Sequence, residues 1–582
     1  MNFFTGILFG RNGGLTHREL EKMTFRNKFS EYLPYVAYDE ETEVYLNTDQ
    51  TAGFIWECTP LVYASPAIFD TLRGLFSASL PVKSVLQFML YADPYIKPVM
   101  DAYRLLRTRD MDVVKSATDG VYNFMMDGAR KGVKNFQGIP IRNFRLFVSL
   151  KIPIEKDIDV NDIRDTIYEI LKGAYLFPRS VTPEHLIDFL MRLFNDNPPE
   201  KVTYNDTIPI SKQIILSETP IRAKWDRMEI GSKYFKCLTP KSMPTQVDTL
   251  LFNYLTGDIW GPKSDTNQIR QPFFITLNII YDSLKAKIHA KCNFVLQQQA
   301  VGSFAPSLNR KQEEYTWAAG EVEKGTPFVR IMPIVWLIGT DIQDVREGAA
   351  RVKRIWEARG FSMQEDRGIL KILFISSLPF GLYNIKGNLN SLDRDFICDA
   401  DSAVYCLPVQ SDFEGGQRPY NLFVGRKGEL VSIDLFDKRA NNMNALVAAE
   451  TGSGKSFFTN YLVFNYFASG AIIRIIDIGG SYKKLCKILG GVFIEFSKGS
   501  NIVLNPFSHV IDINEDASTI TAVIAQMAFS ATKMVPTETE RTLIKNAVHF
   551  AYENYGTDAD IDTVYEYLTS FPKYADEVID IN

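Results

Sequence analysis

Ala448-Ala-Glu-Thr-Gly-Ser-Gly-Lys-Ser456 is the most informative stretch of this sequence. It lies between an apolar run that reads as a strand, Asn444-Ala-Leu-Val-Ala-Ala449, and an apolar-faced run, Lys455–Ser469, that reads as a helix. A glycine-containing turn closed by Lys-Ser in that setting is a phosphate-binding loop. Phosphate oxygens need many donors at short range. Gly452 and Gly454 let the backbone approach without a Cβ, and the helix N-terminus adds partial positive charge. Lys455 is expected to reach the β/γ-phosphates as a point charge, and the Ser456 hydroxyl to ligate Mg2+. The candidate nucleotide-binding set is Ala449, Glu450, Thr451, Gly452, Ser453, Gly454, Lys455 and Ser456, together with Asp477, and the expected ligands are ATP and Mg2+. Ala449 stands where the G-x-x-x-x-G-K-[ST] pattern has its first glycine, a departure that leaves the Gly-x-Gly-Lys-Ser core intact.

Downstream, Ala471-Ile-Ile-Arg-Ile-Ile476 reads as a buried strand ended by Asp477 and followed by Gly479 and Gly480. An acid at a strand end resembles a Mg2+-supporting carboxylate, but this one comes on the strand directly after the P-loop helix, which is too soon for that role. Asp477 is therefore expected to shape a loop beside the nucleotide, with a plain strand-end turn as the other reading. Ser481–Leu489 reads as a short helix, and the alternation of strand, loop, helix and strand predicts a parallel sheet. From Glu515 onward the pattern is helical, at roughly Ala517–Ala531, Thr537–Asn554 and Ile561–Ser570. Residues 411–510 thus read as an α/β P-loop core and 511–582 as all-helical; the resemblance described below implies that the first is only the first part of that core and the second an insert in it.

Upstream, the polar stretch Ser411–Tyr420 reads as a surface connection. Residues 1–410 read as α+β, in two or three subdomains. Strands are predicted at Val44–Leu46, Gly53–Cys58, Ser84–Tyr91, Arg145–Lys151 and Phe273–Tyr281, and helices at Pro66–Ser77, Asp162–Ala174, Pro183–Phe194 and Ile342–Arg359.

Composition narrows the classes. With 582 residues, 46% hydrophobic and 23% charged, the chain is globular rather than disordered or fibrous. A net charge of −5 gives no global basic field for nucleic acid. The six cysteines never fall in C-x-x-C spacing and the five histidines form no H-E-x-x-H, which argues against a zinc site or a disulfide framework and fits a reducing compartment. The apolar opening Met1–Gly10 lacks a basic flank, so it reads as a frayed terminus or tucked strand, with a partner or membrane contact as the other reading. The best later apolar run, Phe328–Gly339, is interrupted by Arg330 and Pro333 and is too short for a membrane span.

Further blocks accompany the P-loop. They are Leu33-Pro-Tyr35, Tyr38-Asp39, Asn47, Gly53-Phe54 and Pro60 at the front, and Ala471–Asp477, Gly479, Tyr482-Lys483, Leu485-Cys486, Gly490–Phe493 and Asn505-Pro-Phe507 at the back. With them the chain resembles the TraC-type ATPases of F-type conjugation systems, within the VirB-class motor ATPases of type IV secretion. The resemblance implies an amino-terminal half that docks on other secretion components, and a RecA-like motor that assembles as a homo-oligomer. It places the protein in the bacterial cytoplasm, peripheral on the cytoplasmic face of the inner membrane, where it would energise pilus assembly and substrate transfer.

Relatives of this kind continue to a strand bearing an Asp-Glu pair and to a trans-acting arginine. Here the sequence stops at Asn582 inside what resembles the helical insert, so the motor domain is expected to be incomplete. No catalytic residue is assigned, and the expectation is a chain that binds ATP but hydrolyses it poorly. Two other readings stay open: a HerA/FtsK-like nucleic-acid translocase, which calls for a basic loop, and a non-hydrolysing docking protein with a structural nucleotide site.

Overall fold

In the strand Val85–Asp93 all nine residues are buried, and their alternation shows why. Phe88 and Leu90 enter one apolar cluster, with Trp56, Leu146, Leu277 and Trp356, whereas Met89 and Tyr91 enter another, with Phe147, Phe274, Trp336 and Phe374. Successive side chains point to opposite faces, so a sheet covered on both faces needs apolar residues at every position. The structure is a computed structural model. It describes residues 28–578 apart from 79, 156–158, 258–266, 302–305, 384–388, 390–391, 417, 439–440, 498–501, 503 and 531–534. The Met1–Gly10 stretch lies outside the described residues. The chain divides into two units, one ending at Ser481 and one beginning at Tyr482.

The first unit is organised by a single sheet of 13 strands among the described residues. Along its spine the strands Thr51–Cys58, Asn143–Pro153, Val85–Asp93, Phe273–Ile280, Phe328–Gly339 and Lys233–Ser242 lie side by side in that order, each antiparallel to its neighbour. The two or three α+β subdomains read from the sequence therefore contribute to one sheet. Pro66–Ser77 and Val160–Gly173 cover one face, with Ile342–Glu357, while Pro183–Phe194 and Leu370–Ser376 cover the other. The apolar run Phe328–Gly339 is the strand that accepts Phe273–Ile280 on one side; its Arg330 pairs bidentately with Asp395, at 2.7 and 2.9 Å.

Beyond the sheet lie two helices, α1 (Lys97–Leu105) and α2 (Asp112–Lys131), and an antiparallel hairpin, Asn421–Val424 with Leu430–Ile433. Leu422 and Leu430 of the hairpin share a core with Met100, Tyr103, Met125 and Ile141. Buried polar groups seat the hairpin further. Lys427 is 2% exposed and its Nζ donates to Asn253 O at 2.6 Å and Thr256 Oγ1 at 2.7 Å. Arg142 Nε donates to Lys427 O at 2.8 Å, and Phe144 N donates to Glu429 Oε2 at 2.7 Å. Ser411 is itself buried and its N–H donates to Leu61 O at 2.9 Å. The start of the Ser411–Tyr420 connection is therefore seated on the sheet unit rather than lying free on the surface.

The predicted parallel sheet is not formed among the described residues. Asn444–Ala449 and Ala471–Ile476 carry no strand pairing, and the second is not buried: Ile472 is 79% and Ile476 103% exposed. Apolar and β-branched residues favour an extended backbone locally, but a strand exists only when a neighbour takes up its N–H and C=O groups. The sheet of this region is the two-stranded hairpin alone, which pairs with neither segment.

The second unit is helical, with Lys483–Ile488, Ile513–Phe529, Glu538–Tyr555 and Ile561–Val578. Ile520, Ile524, Ile544, Val548 and Val564 form its core. Thr537 and Glu540 make a reciprocal capping box at the start of Glu538–Tyr555, which satisfies two N–H groups that the helix itself leaves unpaired.

Candidate functional site

The helix α3 (Lys455–Ala468) begins at Gly454, whose φ of +98° is a left-handed value open to glycine and strained for other residues. Gly452 has φ +83°, and a Cβ added at either glycine would meet no heavy atom within 4 Å. The glycines are thus required by the backbone turn and not by crowding. Ser453 closes the turn: its N–H donates to Glu450 O at 3.2 Å and its Oγ to the same oxygen at 2.7 Å. Residues Ala449 to Ser456 are all exposed, so the N–H groups of the first helical turn face solvent at the positive end of the helix dipole.

The structure brings Ala449, Glu450, Thr451, Gly452, Ser453, Gly454, Lys455 and Ser456 together in this one loop and helix start. Asp477 is not joined to it. It lies exposed beyond the extended segment, and among the described residues no hydrogen bond links it to the loop. Gly479 and Gly480, at φ +125° and +73°, make the bend that follows it. The loop fits a polyphosphate: two positive-φ glycines, open space around them, one lysine and a run of exposed helix-start amides. Among the described residues no group of three or more His, Cys, Asp or Glu could hold a metal ion. A Mg2+ ion here would be held by Ser456 Oγ and by the phosphates themselves, as that ion commonly is.

The other end of α3 is anchored by groups that sequence reasoning missed. Tyr461 OH donates to Leu422 O at 2.9 Å and accepts from Leu422 N at 3.3 Å, occupying the outer edge of the hairpin. Tyr466 OH accepts from Leu435 N at 2.6 Å, its ring stacks on Tyr420, and burial pushes its phenol up to about 12. Tyr103 OH of α1 donates to Asn465 Oδ1 at 3.1 Å, across 362 residues of sequence. The one local signal was the basic cluster Arg104-Leu-Leu-Arg-Thr-Arg109, which begins in the last turn of α1.

A separate cavity of about 1120 Å3 opens at the strand ends, lined among others by Lys97, Asp127, Arg130, Asp344, Glu347 and Arg351. Acids and bases both line it, and it contains none of the loop residues. Among the described residues no helix is long and apolar enough to cross a membrane.

A mixed α/β chain with a glycine-turned anion loop at a helix start defines a P-loop protein carrying a large antiparallel-sheet unit. Family models give the particular family. The model described as TraC protein matches residues 29–382, and that described as TraG P-loop domain matches 423–578. The first covers well over half of the chain, which belongs to the TraC protein family. Protein TraC of Escherichia coli (strain K12) is 22% identical over 591 aligned residues, which cover 94% of this chain and 65% of that protein.

Proposed function

We propose that this chain is an ATP-binding motor component of a conjugation or type IV secretion system, with Ala449–Ser456 holding the triphosphate and Ser456 the Mg2+. The observation that carries the reading is the loop geometry: left-handed glycines at 452 and 454 opening onto unpaired amides of α3, with Lys455 as the first helical residue. Bound Mg2+ would neutralise phosphate charge. The chain's own groups orient the phosphates through backbone N–H donors and the Lys455 ammonium.

Family membership supports work alongside other conjugation components. In this reading the sheet unit docks at the cytoplasmic face of the inner membrane and the protein acts as an oligomer in pilus assembly and substrate transfer. The bare apolar segments around Leu446 and Ile476, 94% and 103% exposed, suit strands of a RecA-like sheet and find no pairing partner among the described residues. In this reading the chain binds ATP more readily than it hydrolyses it, and Asp477, exposed and with no hydrogen bond to the loop among the described residues, is not assigned as a base.

Equilibrium titration with a fluorescent ATP analogue and Mg2+, paired with ADP-release measurements, tests this. Wild type should bind with little turnover. Lys455→Ala should weaken binding by about 10- to 150-fold, the loss of one charge-assisted hydrogen bond. Unchanged affinity in that variant would remove the site assignment, and robust turnover that vanishes in it would show a complete hydrolytic site.

A further inference from the structure

Any α-helix leaves its last C=O groups without intrahelical partners. In α3 each is accounted for, and the donors divide into two sets. One set is local: Gly470, at φ +94°, turns the chain so that Gly470 N donates to Phe467 O at 2.9 Å and Ala471 N to Tyr466 O at 3.0 Å, a Schellman ending.

The other set comes from the turn between α1 and α2. Thr108 N and Arg109 N both donate to Ala468 O, at 3.0 and 3.2 Å. Arg109 Nε donates to Phe467 O at 2.7 Å, its Nη2 donates to Ala471 O at 3.0 Å, and its guanidinium lies 4.1 Å from the Phe467 ring centre. Arg107 Nη1 donates to Ser469 Oγ at 2.5 Å, and its Nη2 to Asn465 Oδ1 at 3.1 Å and Tyr420 O at 2.7 Å. Two cations thus sit at the negative end of the dipole whose positive end is the phosphate loop.

We propose that Arg107 and Arg109 are positioning residues of the nucleotide loop, coupling the α1–α2 turn to its occupancy through the rigid α3. Three features make this more than a packing contact. Arg109 grips the end of the helix and also Ala471, the first residue of the segment that leads to Asp477, so one side chain fixes the exits of both. Arg107 grips the helix and, through Tyr420 O, the strand entering the hairpin on which Tyr461 and Tyr466 rest. Finally, α1 and α2 belong to the core shared with that hairpin, so displacement of α1–α2 by whatever docks on the sheet unit moves the carbonyl end of α3. A helix fourteen residues long transmits such a tilt to its N-terminus as a body, not by local bending. Linkage requires the converse: a ligand that orders the loop must tighten the turn.

The proposal rests on the loop being a nucleotide site, but half of its test does not. Hydrogen exchange is measured on the full chain without nucleotide, in wild type, Arg107→Ala/Arg109→Ala, Arg109→Lys and Arg104→Ala. The last is a control, since Arg104 pairs with Asp119 and stacks on Tyr122. The double variant removes the five side-chain hydrogen bonds above, and exchange at the opposite, N-terminal end of the helix, Phe458–Leu462, should speed by about tenfold, the worth of one charge-assisted bond carried to that end. Arg109→Lys should recover part of that protection, and Arg104→Ala should leave it unchanged. In the second half, Mg–ATP should slow exchange of the Thr108 and Arg109 amides in wild type but not in Lys455→Ala. Loosening confined to Phe467–Ala471, with wild-type exchange at Phe458–Leu462 and wild-type ATP affinity, would overturn the coupling and leave a purely structural cap. If wild type binds no ATP and the exchange coupling is present, the nucleotide reading falls and the clamp stands. Should the double variant fail to fold, Arg109→Lys alone decides, because a structural cap predicts no change at Phe458–Leu462.

Discussion

Gly454→Ala isolates what the loop conformation itself contributes to binding. At φ +98° an L-residue is strained, and the left-handed region costs a non-glycine residue roughly 1–2 kcal/mol. The structure removes the competing explanation, because the new Cβ would meet nothing within 4 Å. The cost therefore falls on the loop's population of its phosphate-binding shape, and apparent affinity drops by the same factor, about 5- to 30-fold. Because the loop is exposed and can relax into another turn, thermal stability should change little. Asparagine tolerates left-handed backbone better than alanine, so Gly454→Asn should bind between wild type and Gly454→Ala. The assay is titration of the three proteins with a fluorescent ATP analogue and Mg2+, beside their melting curves. Affinity of Gly454→Ala within twofold of wild type, or an asparagine variant weaker than the alanine one, would refute the argument that backbone strain sets this site.

Two further outcomes concern stability. Burial holds the Glu429 carboxyl well above its usual 4.5 and draws Arg142 down to about 10, so both groups are biased toward neutrality. A carboxyl raised in the folded state contributes stability that is present below the ordinary value and lost as pH rises through the folded one. Glu429→Gln should thus flatten the fall in urea midpoint from about pH 4.5 upward; a variant less stable than wild type at pH 8 would show that the fold favours the ionised carboxylate instead. In the second unit, Thr537→Ala removes the capping box of Glu538–Tyr555 and should cost about 1 kcal/mol. Hydrogen exchange of the first helical turn reads this directly, and unchanged protection there would remove the cap's assigned role.

What the sequence determined by itself is local. The Gly-Ser-Gly-Lys-Ser turn was legible because glycine φ freedom and a following helix start are properties of adjacent residues. Pro66–Ser77 and Pro183–Phe194 appear at their predicted bounds, each opened by a proline that suits a first helical turn, and runs rich in β-branched and aromatic residues marked Gly53–Cys58 and Phe273–Tyr281 as strands. Tertiary structure decided which strands meet. Periodicity says that a segment is extended, but not where its partner is, so stretches that read as separate α+β modules became one antiparallel sheet, and Asn444–Ala449 and Ala471–Ile476 stayed extended without pairing. The same reason hid the far side of the site. Arg107 and Arg109 take their meaning from carbonyl and side-chain oxygens some 360 residues away, a relation that no window of local sequence contains.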